Sequence, residues 1–199
     1  MNEELLKNAI VGGESGITLD SNYVPPNLID LKEAVPNAYY PYYDVEIQQE
    51  AIQPIQDFVN DLIQHGYVPY ITYGYRSYEL QEQLHHDLPN DAASPGASQH
   101  QLGITIDIHS YAKIDDNGNI TWYDASTDYG YSEPTILAIQ LAAKYGIAHP
   151  MAWDAPHFFV AAAVCPTIDI YLQSIEDPVY STYYNELNAV IAQIQQECL

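Results

Sequence analysis

The strictest constraint on the fold of this chain is an alternation of apolar and polar side chains between residues 104 and 109. The apolar positions are Ile104, Ile106 and Ile108, and the polar positions between and after them are Thr105, Asp107 and His109. Because successive side chains of a strand point to opposite faces of a sheet, the pattern predicts a short strand at 104–108 with its isoleucines in a core. The carboxylate of Asp107 is then expected to face a cleft.

Periodicity predicts three further elements in the first half of the chain. Apolar residues recur every three or four positions from Val45 to His65, which indicates an amphipathic helix with a kink or restart at Pro54. The β-branched and aromatic run at 68–73 indicates a strand, and a turn at Gly74 leads into a helix from Tyr78 to about residue 88.

The second half is predicted to hold a hairpin, a helix, a last strand and a helical tail. The hairpin spans 111–131 with its tip at Asn117-Gly118, and Ser132 begins a helix that reaches Tyr145. PHFFVAA at 156–162 indicates the last strand, and the tail from Glu176 to Leu199 has helical packing periodicity.

The chain is therefore expected to form one α+β domain, a small antiparallel sheet flanked by helices with a metal site on the open face of the sheet. Its length of 199 residues suits a single core. We expect residues 1–40 to be an extended N-terminal arm packed on the domain, 41–163 to be the catalytic core and 164–199 to be a C-terminal helical extension.

Charge and composition exclude several classes of partner. The 27 acidic and 5 basic residues give a formal net charge of -22, which repels nucleic-acid phosphates and anionic lipid head groups. We expect no membrane span and no secretory signal. Three locations remain possible: the protein can be cytoplasmic, released by cell lysis, or secreted with its signal trimmed. Cys165 and Cys198 lack the spacing of a metal or redox motif, so free thiols are expected, with a disulfide from the C-terminal helix to the core as the alternative.

Two histidines and one aspartate supply the ligand count of a catalytic zinc site. His100, Asp107 and His157 offer two imidazole nitrogens and a carboxylate, and a catalytic zinc keeps three protein ligands with one open position. His157 would stand beside Asp107 if 156–162 is a strand. The spacing alone also fits hydrogen-bonded histidines without a metal, and an Asp107 that caps a helix or pairs with one of them.

Four segments resemble a known family. SQHQLGITID at 98–107, GYRSYELQ at 74–81 and NYVPPNLIDL at 22–31 resemble motifs of the zinc D-alanyl-D-alanine carboxypeptidases of the vancomycin-resistance type. DAPHF at 154–158 resembles their closing acid-x-x-His motif, although its Asp and Pro are more similar to phage L-alanyl-D-glutamate endopeptidases. A second departure is Gln99, at a position where an acid is common.

The resemblance implies a role for each matching residue. His100, Asp107 and His157 are implied as ligands of Zn²⁺, and Asp154 as the general base that takes a proton from a zinc-activated water. Arg76, Gln81 and Ser98 are implied as substrate contacts, and Arg76 can also steady the developing oxyanion. The alternatives are that Asp154 caps a turn, that Arg76 pairs with a surface acid, and that Gln81 and Ser98 are a solvated face or a helix cap.

The function implied is that of a zinc-dependent peptidoglycan peptidase. The first expectation is a D,D-carboxypeptidase that removes the terminal D-Ala from stem peptides or other peptides ending in D-Ala-D-Ala. The alternatives are an endolysin-like L-alanyl-D-glutamate endopeptidase and a catalytically silent relative that binds cell-wall peptides.

Overall fold

An antiparallel five-stranded sheet flanked by helices forms the framework of the protein, which confirms the predicted α+β class. The computed structural model describes residues 19–128, 130–150, 154–168, 170, 173–175, 182–184, 192–194 and 196–197. Within these ranges, the structure contains no helix with the length and hydrophobicity of a membrane span.

The elements follow one another in a mixed order along the chain. The strands are β1 Leu28–Asp30, β2 Glu46–Gln48, β3 Tyr67–Tyr73, β4 Thr105–Ile114, β5 Ile120–Asp124, β6 Ser126–Thr127, β7 Gly130–Tyr131, β8 Ile147–Ala148, β9 His157–Val160, β10 Gln173–Ile175 and β11 Thr182–Tyr184. The helices are α1 Leu31–Ala34, α2 Gln49–Gln64, α3 Tyr78–Asp87 and α4 Glu133–Ala143, and 3₁₀ turns lie at Gln99–Leu102 and Ala161–Ala163.

Strand β4 is the centre of the main sheet. One of its edges pairs with β3, and the other pairs first with β9 and then with β5, while β8 adds to the outer edge of β9. The isoleucines at 104, 106 and 108 are fully buried, as their alternation predicts. Helix α2 packs against this core face, where the ring of Phe58 lies 5.9 Å from that of Phe158. The opposite face of β4 carries Asp107.

The predicted helix at 45–65 is wrong at its start. Residues 46–48 form β2, which pairs antiparallel with β1, and α2 begins only at Gln49. Ile47 is opposite Ile29, so a strand partner far away in sequence overrides the local helical period. The helix continues through Pro54 without a restart and ends at the predicted place, where Gly66 has a φ of 91°.

Regular structure also begins earlier than predicted. Within the described part of the expected arm, β1 and α1 precede residue 40, and the side chain of Asp30 caps α1 by accepting a hydrogen bond from the Lys32 amide at 2.8 Å. At the start of the described residues, the Leu19 amide donates to the Gly96 carbonyl at 2.8 Å. Residues 1–18 lie outside the described residues, and the domain boundaries remain predictions.

The other predicted elements of residues 67–148 are present. Strand β3 and helix α3 occupy the predicted positions, and the side chain of Ser77 caps α3. The β4–β5 hairpin turns at Gly118, where φ is 82°, although β4 is longer than the predicted 104–108 strand. Helix α4 ends at Ala143, two residues before the predicted Tyr145.

The C-terminal part differs from the prediction. Strand β9 is not the last strand, because β10 and β11 form a two-stranded ladder. The tail therefore cannot be a helix from residue 176, and the β-branched and aromatic sequence of β11 explains its strand. Residues 192–194 and 196–197 are helical, and the rest of the predicted tail helix lies outside the described residues. Cys165 is disulfide-bonded, so a free thiol is the wrong expectation for it, and Cys198 lies outside the described residues.

Candidate metal centre and cleft

Three side chains offer metal ligands at one point on the cleft face of β4. Asp107 and His157 are direct cross-strand partners of β4 and β9, and His100 lies on the 3₁₀ turn before β4. Gly103 takes a left-handed conformation with φ of 67°, which turns the chain from His100 into the strand. The ligand atoms of the three residues all lie within 4.8 Å of one another, and all three residues are buried.

A backbone carbonyl fixes the orientation of His100. Its Nδ1 lies 2.7 Å from the carbonyl oxygen of Gly74, and because a carbonyl only accepts, Nδ1 carries the proton. The Nε2 atom then has its lone pair toward the centre, 3.1 Å from Oδ1 of Asp107. His100 is thus held in the tautomer that a metal ion requires.

The side chain of Gln99 fixes the orientation of His157. The Oε1 atom of Gln99 accepts a hydrogen bond from Nε2 of His157 at 2.7 Å. This leaves Nδ1 of His157 facing the centre, 3.4 Å from Oδ1 of Asp107. The sequence predicts the ligand but not this partner, because nothing in the motif shows that the residue before His100 reaches across to β9.

Arg76 holds the remaining oxygen of Asp107. Its Nη2 donates to Oδ2 of Asp107, its guanidinium lies 4.4 Å from the ring centroid of Tyr73, and its amide donates to the His100 carbonyl at 3.2 Å. The Nε–H group is buried and has no hydrogen-bond acceptor among the described residues. Arg76 therefore pairs with a buried candidate ligand rather than a surface acid, and one of its donors is left for a bound molecule.

The electrostatics suit a cationic ion. Burial lowers the pKa of His100 to about 4, so this imidazole is neutral at neutral pH. Burial alone would raise the pKa of Asp107, but the neighbouring His100 and the Arg76 charge hold it well below its usual range. A carboxylate and two imidazoles with inward lone pairs match the nitrogen and oxygen donors that Zn²⁺ prefers, so the residues fit a zinc ion.

Asp154 stands at the rim of the same centre. Its Oδ2 lies 3.8 Å from Nδ1 of His157, and burial raises its pKa, with a smaller contribution from the nearby carboxylate of Asp107. The Asp154 carbonyl accepts from the His157 amide at 3.1 Å, which fixes the turn before β9. A carboxylate with a raised pKa beside the centre is a suitable proton acceptor.

A cavity of about 580 Å³ opens over the centre and brings all the predicted site residues together. Its walls include Arg76, Gln81, Ser98, the three candidate ligands and Asp154. Gln81 is 1% exposed and donates to the Ala93 carbonyl at 2.8 Å, so it is not part of a solvated face. Ser98 precedes the 3₁₀ turn without a side-chain capping bond, so it does not act as a helix cap. The substrate-contact role of both residues stays a prediction.

One family model matches the chain. The model described as VanY, D-alanyl-D-alanine carboxypeptidase, matches residues 44–131, which include Arg76, His100 and Asp107. The match ends before Asp154 and His157, which the fold brings to the same cleft. No curated protein sequence matches the chain.

Several solved structures share the fold. The LdcB LD-carboxypeptidase has a TM-score of 0.57 at 20% identity, over 78% of each chain. The D,D-dipeptidase VanXYg has a TM-score of 0.53 at 19% identity, over 79% of this chain and 64% of that one. VanYB in complex with D-alanine-D-alanine has a TM-score of 0.52 at 14% identity, over 96% of this chain and 93% of that one. A mutant of the D,D-pentapeptidase VanY in complex with Zn(II) gives 0.51 at 14% identity, over 78% and 91%.

Proposed function

From the match of residues 44–131 to the VanY D-alanyl-D-alanine carboxypeptidase family, we propose that the chain is a member of this family that removes the terminal D-Ala from peptidoglycan stem peptides ending in D-Ala-D-Ala. The VanY match and the fold shared with LdcB support a peptidoglycan peptidase, and the D,D specificity is the finer part of the proposal. The observation that carries the proposal is the meeting of His100, Asp107 and His157 beside Arg76 in one cleft.

His100, Asp107 and His157 would hold the zinc ion through Nε2, Oδ1 and Nδ1. When bound, zinc supplies a Lewis acid that polarises the scissile carbonyl and lowers the pKa of a bound water. The relative solved with Zn(II) supports this choice of metal. Gly74 and Gln99 keep the two rings in place by accepting from the outward nitrogens.

Asp154 is proposed as the general base. Its carboxylate faces the cleft beside His157 without being one of the three clustered ligands, so it is free to accept the proton of the attacking water. Burial raises its pKa, which makes it a stronger base than an exposed aspartate. After the peptide bond breaks, the same carboxyl group can deliver that proton to the leaving amine.

Arg76 supports an exopeptidase that recognises a free carboxylate. It is the only Lys or Arg among the described residues that line the cleft, and it is the only arginine in the sequence. Its guanidinium, which lines the cleft, can donate to the terminal carboxylate of a substrate, a group for which an endopeptidase has no need. Gln81 and Ser98, both buried in the wall, are proposed to contact the peptide backbone.

The test is incubation of the zinc-loaded protein with a stem pentapeptide and with the corresponding tetrapeptide, followed by mass spectrometry of the products. A D,D-carboxypeptidase releases one D-Ala from a pentapeptide ending in D-Ala-D-Ala and leaves the tetrapeptide intact. Loss of D-Ala from the tetrapeptide would instead show L,D specificity, and cleavage after L-Ala would show the endopeptidase that DAPHF resembles. A protein that binds zinc and releases no product from either of them would be a silent relative.

A further inference from the structure

Two groups of aromatic rings, one at the cleft and one farther out, lie on the open face of the sheet. Tyr73 lines the cleft beneath the Arg76 guanidinium, and its ring centroid lies 6.0 Å from that of Tyr43. Farther out, Trp122 lies 6.1 Å from Tyr70 and 5.3 Å from Tyr39. We call these five residues, Tyr39, Tyr43, Tyr70, Tyr73 and Trp122, the aromatic row.

Tyr43 extends the row from the cleft along β3. Its hydroxyl donates to the Thr72 carbonyl at 3.1 Å, which holds the ring over the end of β3. Its ring lies beside Tyr73, the ring that lines the cleft.

An irregularity in β4 places the row on the cleft face. Tyr70 is opposite Ser110 and Ile71 is opposite Ile108, so His109 is an extra residue in β4. The extra residue brings Ser110 and Ala112 onto the face that carries Asp107. These side chains are small, so the ring of Trp122, which is opposite Ala112 in register, can lie across them toward Tyr39.

The row is more exposed than core packing requires. Trp122 is 49% exposed and Tyr43 is 52% exposed, and the neighbouring cross-strand pair Ile114 and Ile120 on the same face is 50% and 48% exposed. Large apolar groups that remain open to solvent in one contiguous patch mark binding surfaces in soluble proteins. The described rings of the row carry hydroxyl and indole N–H groups but no charge.

We propose that the aromatic row binds the glycan strand to which the stem peptide is attached. A neutral, N-acetylated sugar offers an apolar ring face for stacking and hydroxyl and amide groups for the tyrosines. A polyanionic ligand is disfavoured by the net charge of -22. The row begins at the ring that contacts Arg76, so a peptide bound there would carry its glycan onto the row. The choice of glycan rests on the proposed function.

The experiment compares Trp122→Ala and Tyr43→Ala, changes in two separate chain segments, with Tyr145→Ala as the matched control. Tyr145 is a tyrosine behind the sheet, where its hydroxyl donates to Asp61 at 3.0 Å. Binding to chitin, a neutral and insoluble polymer of N-acetylated sugar that carries neither peptide nor carboxylate, is measured by sedimentation. The ratio of kcat/KM for a glycan-linked stem peptide to that for the same free peptide is measured separately.

We expect each row variant that folds to bind chitin roughly three- to tenfold more weakly, the effect of one lost aromatic contact, and to lower the kcat/KM ratio. The Tyr145→Ala protein should match the wild type in both. The proposal is overturned if wild-type protein does not bind chitin, or if folded variants bind it as well as wild type does. A wild type that binds glycan but cleaves no stem peptide would refute the proposed function and leave the glycan site standing.

Discussion

At the scale of single residues, the candidate metal centre depends on partners that are not ligands. Gln99 is a neutral acceptor for His157, at a position where the resemblance leads one to expect an acid. An amide fixes the tautomer as a carboxylate does but adds no negative charge, so it makes the imidazole a less basic ligand. The partner of His157 therefore affects zinc affinity without touching the ion.

Gln99→Leu should weaken zinc binding about 10- to 100-fold, because the ring of His157 loses the acceptor that fixes its Nδ1 lone pair toward the centre. Competition with a chelator of known affinity measures the effect. Gln101→Leu is the matched control, since Gln101 is buried in the same 3₁₀ turn but donates to the Asp20 carbonyl. Equal zinc affinities for the two variants would contradict a positioning role for Gln99.

Asp154→Asn should lower kcat by about 10²- to 10⁴-fold, the usual contribution of a general base, while zinc stays bound. The amide cannot accept the proton of the attacking water, and Asp154 is not among the three clustered ligands. Turnover and zinc content are measured on the same sample, with Asp116→Asn on the exposed hairpin turn as control. Near-normal turnover, or loss of zinc, would exclude the assignment.

At the scale of elements, the junction after β3 joins the sheet to the centre. Gly74 gives its carbonyl to His100, and the next amide, of Tyr75, donates to the Glu46 carbonyl of β2 at 2.7 Å. A Cβ at Gly74 would lie 2.2 Å from that Glu46 oxygen. Only glycine lets β2 and this junction approach so closely, so the same contact supports both the fold and the orientation of His100.

Gly74→Ala should reduce the free energy of unfolding by roughly 1–3 kcal/mol, because the new methyl group meets backbone that cannot move aside cheaply. Zinc affinity should fall with it, since the carbonyl that orients His100 shifts. Gly118→Ala is the control: Gly118 has a φ of 82°, so the change strains the backbone there, but the new side chain enters open space at the hairpin tip. Urea unfolding and zinc titration of both proteins test this prediction. A smaller loss of unfolding free energy in Gly74→Ala than in Gly118→Ala would refute the explanation.

The same elements show what sequence periodicity can predict. Alternation in β4 correctly separates buried Ile106 from Asp107 on the cleft face, because one face of a half-buried strand must be apolar. Periodicity cannot predict β2, because Ile47 fits both a helical period and a strand. The pairing of Ile47 with Ile29 selects the strand. Periodicity also cannot predict that His109 is an extra residue in β4, because the pairing of β4 with β3 determines the register.

At the scale of the whole molecule, the candidate site combines segments that are far apart in sequence. The spacing of His100, Asp107 and His157 does not by itself decide for a common site. The resemblance of their motifs to a zinc peptidase family predicts that they meet, as they do. The contact of Arg76 with Asp107 and of Gln99 with His157 could not be predicted, because each depends on how two strands and a turn pack. Motifs thus identify the groups of the site, and packing determines how they are oriented.

Two buried histidines should also make the stability of the whole domain depend on pH. Burial lowers the pKa of His149 to about 4, as it does for His100. His149 lies between the rings of Tyr131 and Phe158, and its Nε2 is 3.3 Å from the Ala155 carbonyl. Between pH 6.5 and 4 these histidines bind protons in the unfolded chain but not in the folded protein. Stability therefore falls as the pH drops through this range.

The free energy of unfolding of the metal-free protein should therefore decrease by on the order of 1–3 kcal/mol per histidine from about pH 7 to about pH 4. His149→Gln should remove about half of this dependence, because glutamine can donate to the Ala155 carbonyl without taking up a proton. His86→Gln, at a histidine whose side chain is 86% exposed, should leave the pH dependence unchanged. Urea unfolding at several pH values tests this, and an unchanged slope in the His149 variant would show that burial of this ring does not couple folding to protons.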